Sequence, residues 1–209
     1  MRILLATAAS LALAGGFHGA AMAQTNNTTS SGVTTQDRLE GANYFELEST
    51  LPFKAPDFDA ISEDDYMPAF EKAMAIQKGE IQRIIDNPEA PTFENTIVAL
   101  EKSGRMLGRV SAVFFHLTGA NTTDRLDEIN TEISPKLSAH GDSIVLNPEL
   151  FARVKAVYDN RAAMTMTRED AKLLEDTYDG MVHAGALLLG HAVDLRRERA
   201  RHRGSVIIK

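Results

Sequence analysis

Cysteine is absent from the 209-residue sequence. That excludes disulfides and lipid attachment at a thiol, so the fold must be held by its apolar core alone. Also missing is the His-Glu-x-x-His pattern of helical zinc sites, which sets two ligands one turn apart with a catalytic Glu between them. The histidines are His18, His116, His140, His183, His191 and His202, and none is followed by Glu. Positive charge is scarce: residues 24–189 hold 15 Lys and Arg against 27 Asp and Glu. A surface that acidic argues against nucleic acid as a partner, because phosphate backbones want a basic face. No apolar run reaches the roughly 20 residues of a membrane span. Between Ser62 and Leu189 there is no convincing strand alternation and no repeat at a solenoid period.

What is present begins with an export pattern. Arg2 gives a positive start, Ile3 to Gly16 is apolar and small, and Ala21-Met22-Ala23 is a small-x-small cleavage site before Gln24. Residues 1–23 therefore read as a secretory signal peptide, and the expected location is outside the cytoplasm, in a bacterial periplasm. Residues 24–43 are polar and read as a flexible linker. From Tyr44 to Asp59 four aromatics accompany Pro52 and Pro56, which forbid a helix, so an extended arm lying on an apolar surface is expected.

Helical periodicity governs the rest. Ser62-Glu63-Asp64-Asp65 is a capping pattern ahead of a stripe through Tyr66, Phe70, Ala73 or Met74, Ile81 and Ile84 or Ile85, stopped by Asn87-Pro88. Thr92 caps a second segment, with Glu94 close behind. Its stripe through Phe93, Ile97, Leu100, Gly104, Leu107, Ser111, Phe114 and Thr118 predicts one helix of about 26 residues, roughly 40 Å long. Gly104 and Ser111 are small residues on that stripe, where a neighbour can approach closely. Thr123 caps a third helix, with Leu126, Ile129, Ile133, Leu137, His140 and Ile144 on one face and Pro135 expected to kink or split it. Asn147-Pro148 starts a fourth, lined by Leu150, Phe151, Val154, Val157 and Tyr158. Thr167 opens a fifth, with Leu173, Leu174, Met181, Val182 and Leu188 on its apolar side. The fold class expected is all-α, an antiparallel helical bundle or layer with short loops.

Residues 190–209 change character: five Arg and one Lys stand against two acids, and the helical stripe has no clean continuation. A basic tail for a partner or an anionic surface fits, as does an ordinary amphipathic helix end. The abrupt break favours a third reading, an atypical basic tail translated out of frame.

Four blocks carry a family resemblance: PEAPTFENTIVALEKSGRML, VFFHLTGANTTDRLDEIN, ISPKLSAHGDSIVLNPELFARVKAVYD and MTREDAKLLEDTYDGMVHAGALL. In order and spacing they resemble the thimet oligopeptidase and peptidyl-dipeptidase (dipeptidyl carboxypeptidase) family of zinc metallopeptidases. The resemblance runs over about residues 44–189. It implies the N-terminal helical domain of a channel-shaped peptidase built from two halves, in which zinc lies in the later half and short peptides are cleaved. The sequence itself then reads as a truncated N-terminal segment without the catalytic zinc site. No catalytic, cofactor-binding or metal-ligating residue of the family falls in it, and zinc belongs to the full-length family alone. The partners implied are short peptides and the missing catalytic half. Two other classes fit the residues: a non-catalytic periplasmic helical module that binds peptides, and a structural subunit completing a separately encoded catalytic half.

Individual candidates have plain readings. His116, between Phe115 and Leu117, is either a channel-facing group or a partly buried His bonded to a nearby carbonyl; the latter is favoured. His140 sits on an apolar stripe and reads as a satisfied core histidine. His183 and His191 are eight apart, with Asp179 and Asp194 as companions, but metal pairs use spacings of three or four. Glu63, Asp64, Asp65, Asp124, Asp127 and Glu128 sit at helix starts, where capping and the dipole explain them. Gly104, Gly108 and Gly119 lie in or after a helix and make no phosphate loop. Phe114-Phe115 reads as core. Asn26, Asn27 and Asn121 head Asn-x-Thr patterns that matter only in a glycosylating host. A segment built to pack on a second half should leave an apolar face uncovered and be marginally stable alone.

Overall fold

A computed structural model describes residues 43–188. The signal peptide, nearly all of the linker, the basic tail, His18, His191, His202, Asp194, Asn26 and Asn27 lie outside them. The described chain is all-α, as its periodicity implies, and no strand occurs among the described residues. Helix α1 is Tyr66–Ile85. Next comes a two-part helix, α2, made of Phe93–Val98 and Ala99–Glu101. It is followed by α3 (Arg105–Ala120), α4 (Asp124–Val145), α5 (Pro148–Asp159) and α6 (Arg168–Ala184).

The starts follow the capping residues. Thr123 accepts from Leu126 N at 3.2 Å. Asn147 Oδ1 accepts from Glu149 N and Leu150 N, both at 2.9 Å. At Thr167 the cap is reciprocal, with Thr167 Oγ1 accepting from Asp170 N and Asp170 Oδ2 from Thr167 N. Thr92 likewise caps α2, but its reciprocal partner is Asn95 rather than Glu94: Asn95 Oδ1 accepts from Thr92 N at 2.8 Å. Each arrangement satisfies backbone N–H groups that a helix leaves unpaired at its first turn.

Two apolar cores divide the molecule. The first joins Phe45, Tyr66, Ala69, Phe70 and Ala73 with Met106, Val110 and Phe114 of α3 and Leu126, Ile129 and Ile133 of α4. In the second, Ile81, Ile84 and Ile97 pack with Leu150, Phe151, Val154, Val157, Leu174 and Met181. Helix α1 feeds both, its first turns entering one core and its last turns the other. An aromatic cluster ties the first together: Phe114 meets Tyr66 and Phe70 edge-on, with centroids 5.1 and 5.3 Å apart. Edge-to-face pairs of this kind are favoured by the ring quadrupole.

Four sequence expectations need correction. The 26-residue helix from Phe93 is broken, because Gly104 adopts φ +70°, ψ +21° between α2 and α3. The break carries the chain from one core to the other and rotates the buried face, so Met106 and Val110 are buried rather than Leu107 and Ser111. Pro135 does not split α4. It lies on the exposed side of the helix, where the carbonyl that loses its donor can be met by water. Leu188 does not join the apolar side of α6. Gly185, at φ +103°, ends that helix in a left-handed turn, and Leu188 is left exposed. Finally, the arm is not simply extended. It makes single turns at Tyr44–Glu46, Pro52–Lys54 and Phe58–Ala60.

Only part of that arm lies on the core. Phe45 is buried, 5.5 Å from the Tyr66 ring. Asn43 Nδ2 donates to Asp65 O at 2.8 Å, and Asp57 N donates to the Tyr44 hydroxyl at 2.8 Å, which folds the arm back on itself. Leu47, Leu51 and Phe58 are exposed, and Phe53 is entirely so. Ile76, Phe115 and Leu188, outside the arm, are exposed as well. No helix among the described residues is long and apolar enough to cross a membrane.

Candidate functional site

The sequence candidates are not brought together. His116 is exposed rather than partly buried, although its Nδ1 does lie 2.6 Å from Ala112 O as expected. His183 is exposed at the last turn of α6. Phe114 is core, but Phe115 is 40% exposed. Among the described residues no three His, Asp or Glu side chains converge in a way that could hold a metal ion.

The acids at helix starts do more than cap. Asp65 receives Ser62 N at 2.7 Å, the expected role. Glu63 and Asp64 instead reach across to the start of α4. Thr123 Oγ1 donates to Glu63 at 2.8 Å, and Arg125 bridges Asp64 and Glu128 at 3.2 Å each. Two acidic helix starts are thus linked through one arginine, on an exposed surface where such pairs contribute little to stability.

At the junction of the two cores lies a polar relay. His140 is 5% exposed, and its Nε2 donates to Gln77 Oε1 at 2.7 Å. Gln77 Nε2 reaches Ser103 Oγ at 3.4 Å, and Gly104 N donates to Glu80 Oε2 at 2.7 Å. Gly104 fits because it has no Cβ: one built there would stand 2.3 Å from Gln77 Nε2. The close approach expected at this glycine is real, but it comes from a side chain of α1 and not from a helix backbone. His140 Nδ1 is buried without a partner among the described residues, so the histidine is only half satisfied. Burial, then the Lys78 charge, holds its pKa below the usual imidazole value.

Sequence reasoning also missed Arg153. From α5 it donates to Asn87 O at 2.9 Å, and to Glu89 O and Asn95 Oδ1 at 3.3 Å. It clips both the connection after α1 and the first turn of α2 to α5. An arginine amid the apolar positions of a helix face is the signal that could have found it.

Several clefts of ligand size occur among the described residues, and one combines basic side chains with mostly apolar walls. It lies between the arm and α3, with a volume of about 380 Å³, and its lining includes Tyr44, Phe45, Lys54, Arg105, Arg109 and Val113. Arg109 Nη2 donates to Phe45 O at 3.1 Å, fixing the guanidinium to the arm. Nearby, Lys72 pairs with Glu46 at 2.6 Å, and that hydrogen bond holds the Glu46 carboxyl below its usual pKa.

Fold and cleft together define a helical scaffold with an open, cation-edged groove. No protein-family profile matches the chain. It is 44% identical over 146 residues to dipeptidyl carboxypeptidase of Escherichia coli, covering 70% of this chain and 21% of that protein. The dipeptidyl carboxypeptidase of Salmonella typhimurium is 41% identical over 141 residues, covering 68% and 21%. Oligopeptidase A of Escherichia coli is 22% identical over 125 residues. The chain spans about a fifth of the length of the dipeptidyl carboxypeptidases it matches. Over the matched part it belongs to the peptidyl-dipeptidase and thimet oligopeptidase family.

Proposed function

We propose that this chain supplies a non-catalytic helical wall of a zinc peptidase that cleaves short peptides, releasing C-terminal dipeptides. The observation that carries this reading is the 44% identity to a dipeptidyl carboxypeptidase over a fifth of that protein's length, in a sequence where no histidine is followed by Glu. A metal-activated water needs ligands held in fixed geometry and a nearby base, and the His-Glu-x-x-His helix that provides both is not in these 209 residues. The metal, its base and the scissile bond therefore belong to polypeptide beyond this sequence, and no residue here is assigned a catalytic role. We also infer export to the periplasm, from the charged start, apolar run and small-x-small site of residues 1–23.

The direct test is to incubate the purified chain with zinc and a blocked tripeptide and follow release of the C-terminal dipeptide. No turnover is expected. Turnover that a chelator abolishes would show that the chain holds its own metal centre and would sink this reading.

A further inference from the structure

We propose that the cleft between the arm and α3 is a binding site for an apolar carboxylate. Arg105 and Arg109 are the first and fifth residues of α3, one turn apart, and both line the cleft. Local physics disfavours that placement twice: like charges at this spacing repel, and Arg105, at the first position, opposes the positive end of the helix dipole. Among the described residues neither arginine pairs with a carboxylate. The acceptor that Arg109 does have, Phe45 O, is neutral and orients the guanidinium without offsetting its charge. One carboxylate lines the cleft, Glu48, and it faces Lys54 at 3.8 Å. Lys54, Arg105 and Arg109 thus leave a surplus of positive charge at the edge of a cavity whose remaining walls are mostly apolar.

A bound carboxylate would answer the surplus charge with charge-assisted hydrogen bonds to the guanidinium groups. The adjoining apolar group would lie against Phe45 and Val113. At about 380 Å³ the space falls in the lower part of the range for small-ligand pockets, roughly 300–1,000 Å³. Two sources share this chemistry: the C-terminal residue of a peptide and a free aliphatic acid. The site requires no hydrolytic chemistry and stands apart from the reading of the chain as a peptidase wall.

The test titrates the full chain with N-acetylphenylalanine, with its C-terminal amide and with octanoate, by calorimetry and by NMR. The acid should bind at least tenfold more tightly than the amide. Arg105→Gln, an exposed change that leaves the Arg109–Phe45 bond in place, should weaken the acid at least fivefold at unchanged melting temperature. Arg105→Gln/Arg109→Gln should abolish binding in a chain that circular dichroism shows to be folded. Binding of N-acetylphenylalanine alone identifies a peptide end, of octanoate alone a free aliphatic acid, and of both a general site; each supports the proposal. Equal affinity for acid and amide, indifference to Arg105→Gln, or no binding of either acid at millimolar concentration would overturn it.

Discussion

Replacing Gly104 with alanine separates a backbone effect from a side-chain effect at one position. At φ +70° a Cβ meets the following carbonyl, a strain of roughly 1–2 kcal/mol. The new methyl would also fall 2.3 Å from Gln77 Nε2 and 2.6 Å from Gln77 Cδ, so the amide must swing aside. The swing itself is cheap, because the atoms displaced are the far end of a flexible chain. Its consequence is not: it removes the acceptor of His140 Nε2 and leaves both nitrogens of a buried imidazole unmet. An unsatisfied buried polar group costs about 1–3 kcal/mol. Together the terms come to about 2–5 kcal/mol, a large share of the 5–15 kcal/mol by which a domain is typically stable. The melting temperature should fall by about 4–20 °C, at ~2–4 °C per kcal/mol for a chain of this size. Urea unfolding would give the free energy directly. Gly79→Ala and Gly108→Ala are the controls. Nothing lies within 4 Å of a Cβ at either, and both are helical, so they should be neutral or stabilise by up to about 1 kcal/mol. In a Gln77→Ala background the cost of Gly104→Ala should shrink to its backbone part. A Gly104→Ala protein within about 0.5 kcal/mol of the parent, or an equal cost in both backgrounds, would refute the reasoning.

His140 should make stability fall in mild acid. Its folded pKa lies below the ordinary imidazole value of about 6.5, so the unfolded chain takes the proton first, and stability present above about pH 6.5 is lost as pH drops toward the folded pKa. Urea midpoints from pH 7.5 to 5.5 should decline in the parent and decline less in His140→Gln; identical slopes would remove the assignment. Asn147→Ala should cost about 1 kcal/mol by chemical denaturation, since two N–H groups of α5 lose their acceptor. Phe53→Asn should stabilise slightly, by up to about 1 kcal/mol, and reduce self-association on gel filtration. Phe53 is fully exposed and sits at φ +59°, a backbone region that Asn tolerates better.

Local chemistry made the helix starts readable. Thr123, Asn147 and Thr167 act within three residues of themselves, and each caps where its pattern placed it. The break at Gly104 escaped for the opposite reason. Its stripe keeps a helical period straight through Leu100, Gly104 and Leu107, and a single left-handed residue does not disturb the spacing of apolar letters. The N–H that the break frees at Gly104 is taken up by the carboxylate of Glu80, 24 residues away. Periodicity records which face is apolar. It does not record which of two cores that face enters, so it could not show that Ile97 packs with α5 and α6 while Val110 packs with the arm and α4. The cleft was hidden in the same way, because it exists only where the arm returns on Tyr44 and meets α3. Half of its chemistry was nevertheless in the letters. Arg105 and Arg109 stand one turn apart at a position where a helix gains nothing from positive charge, and that departure from local consistency is the kind that function imposes on a sequence.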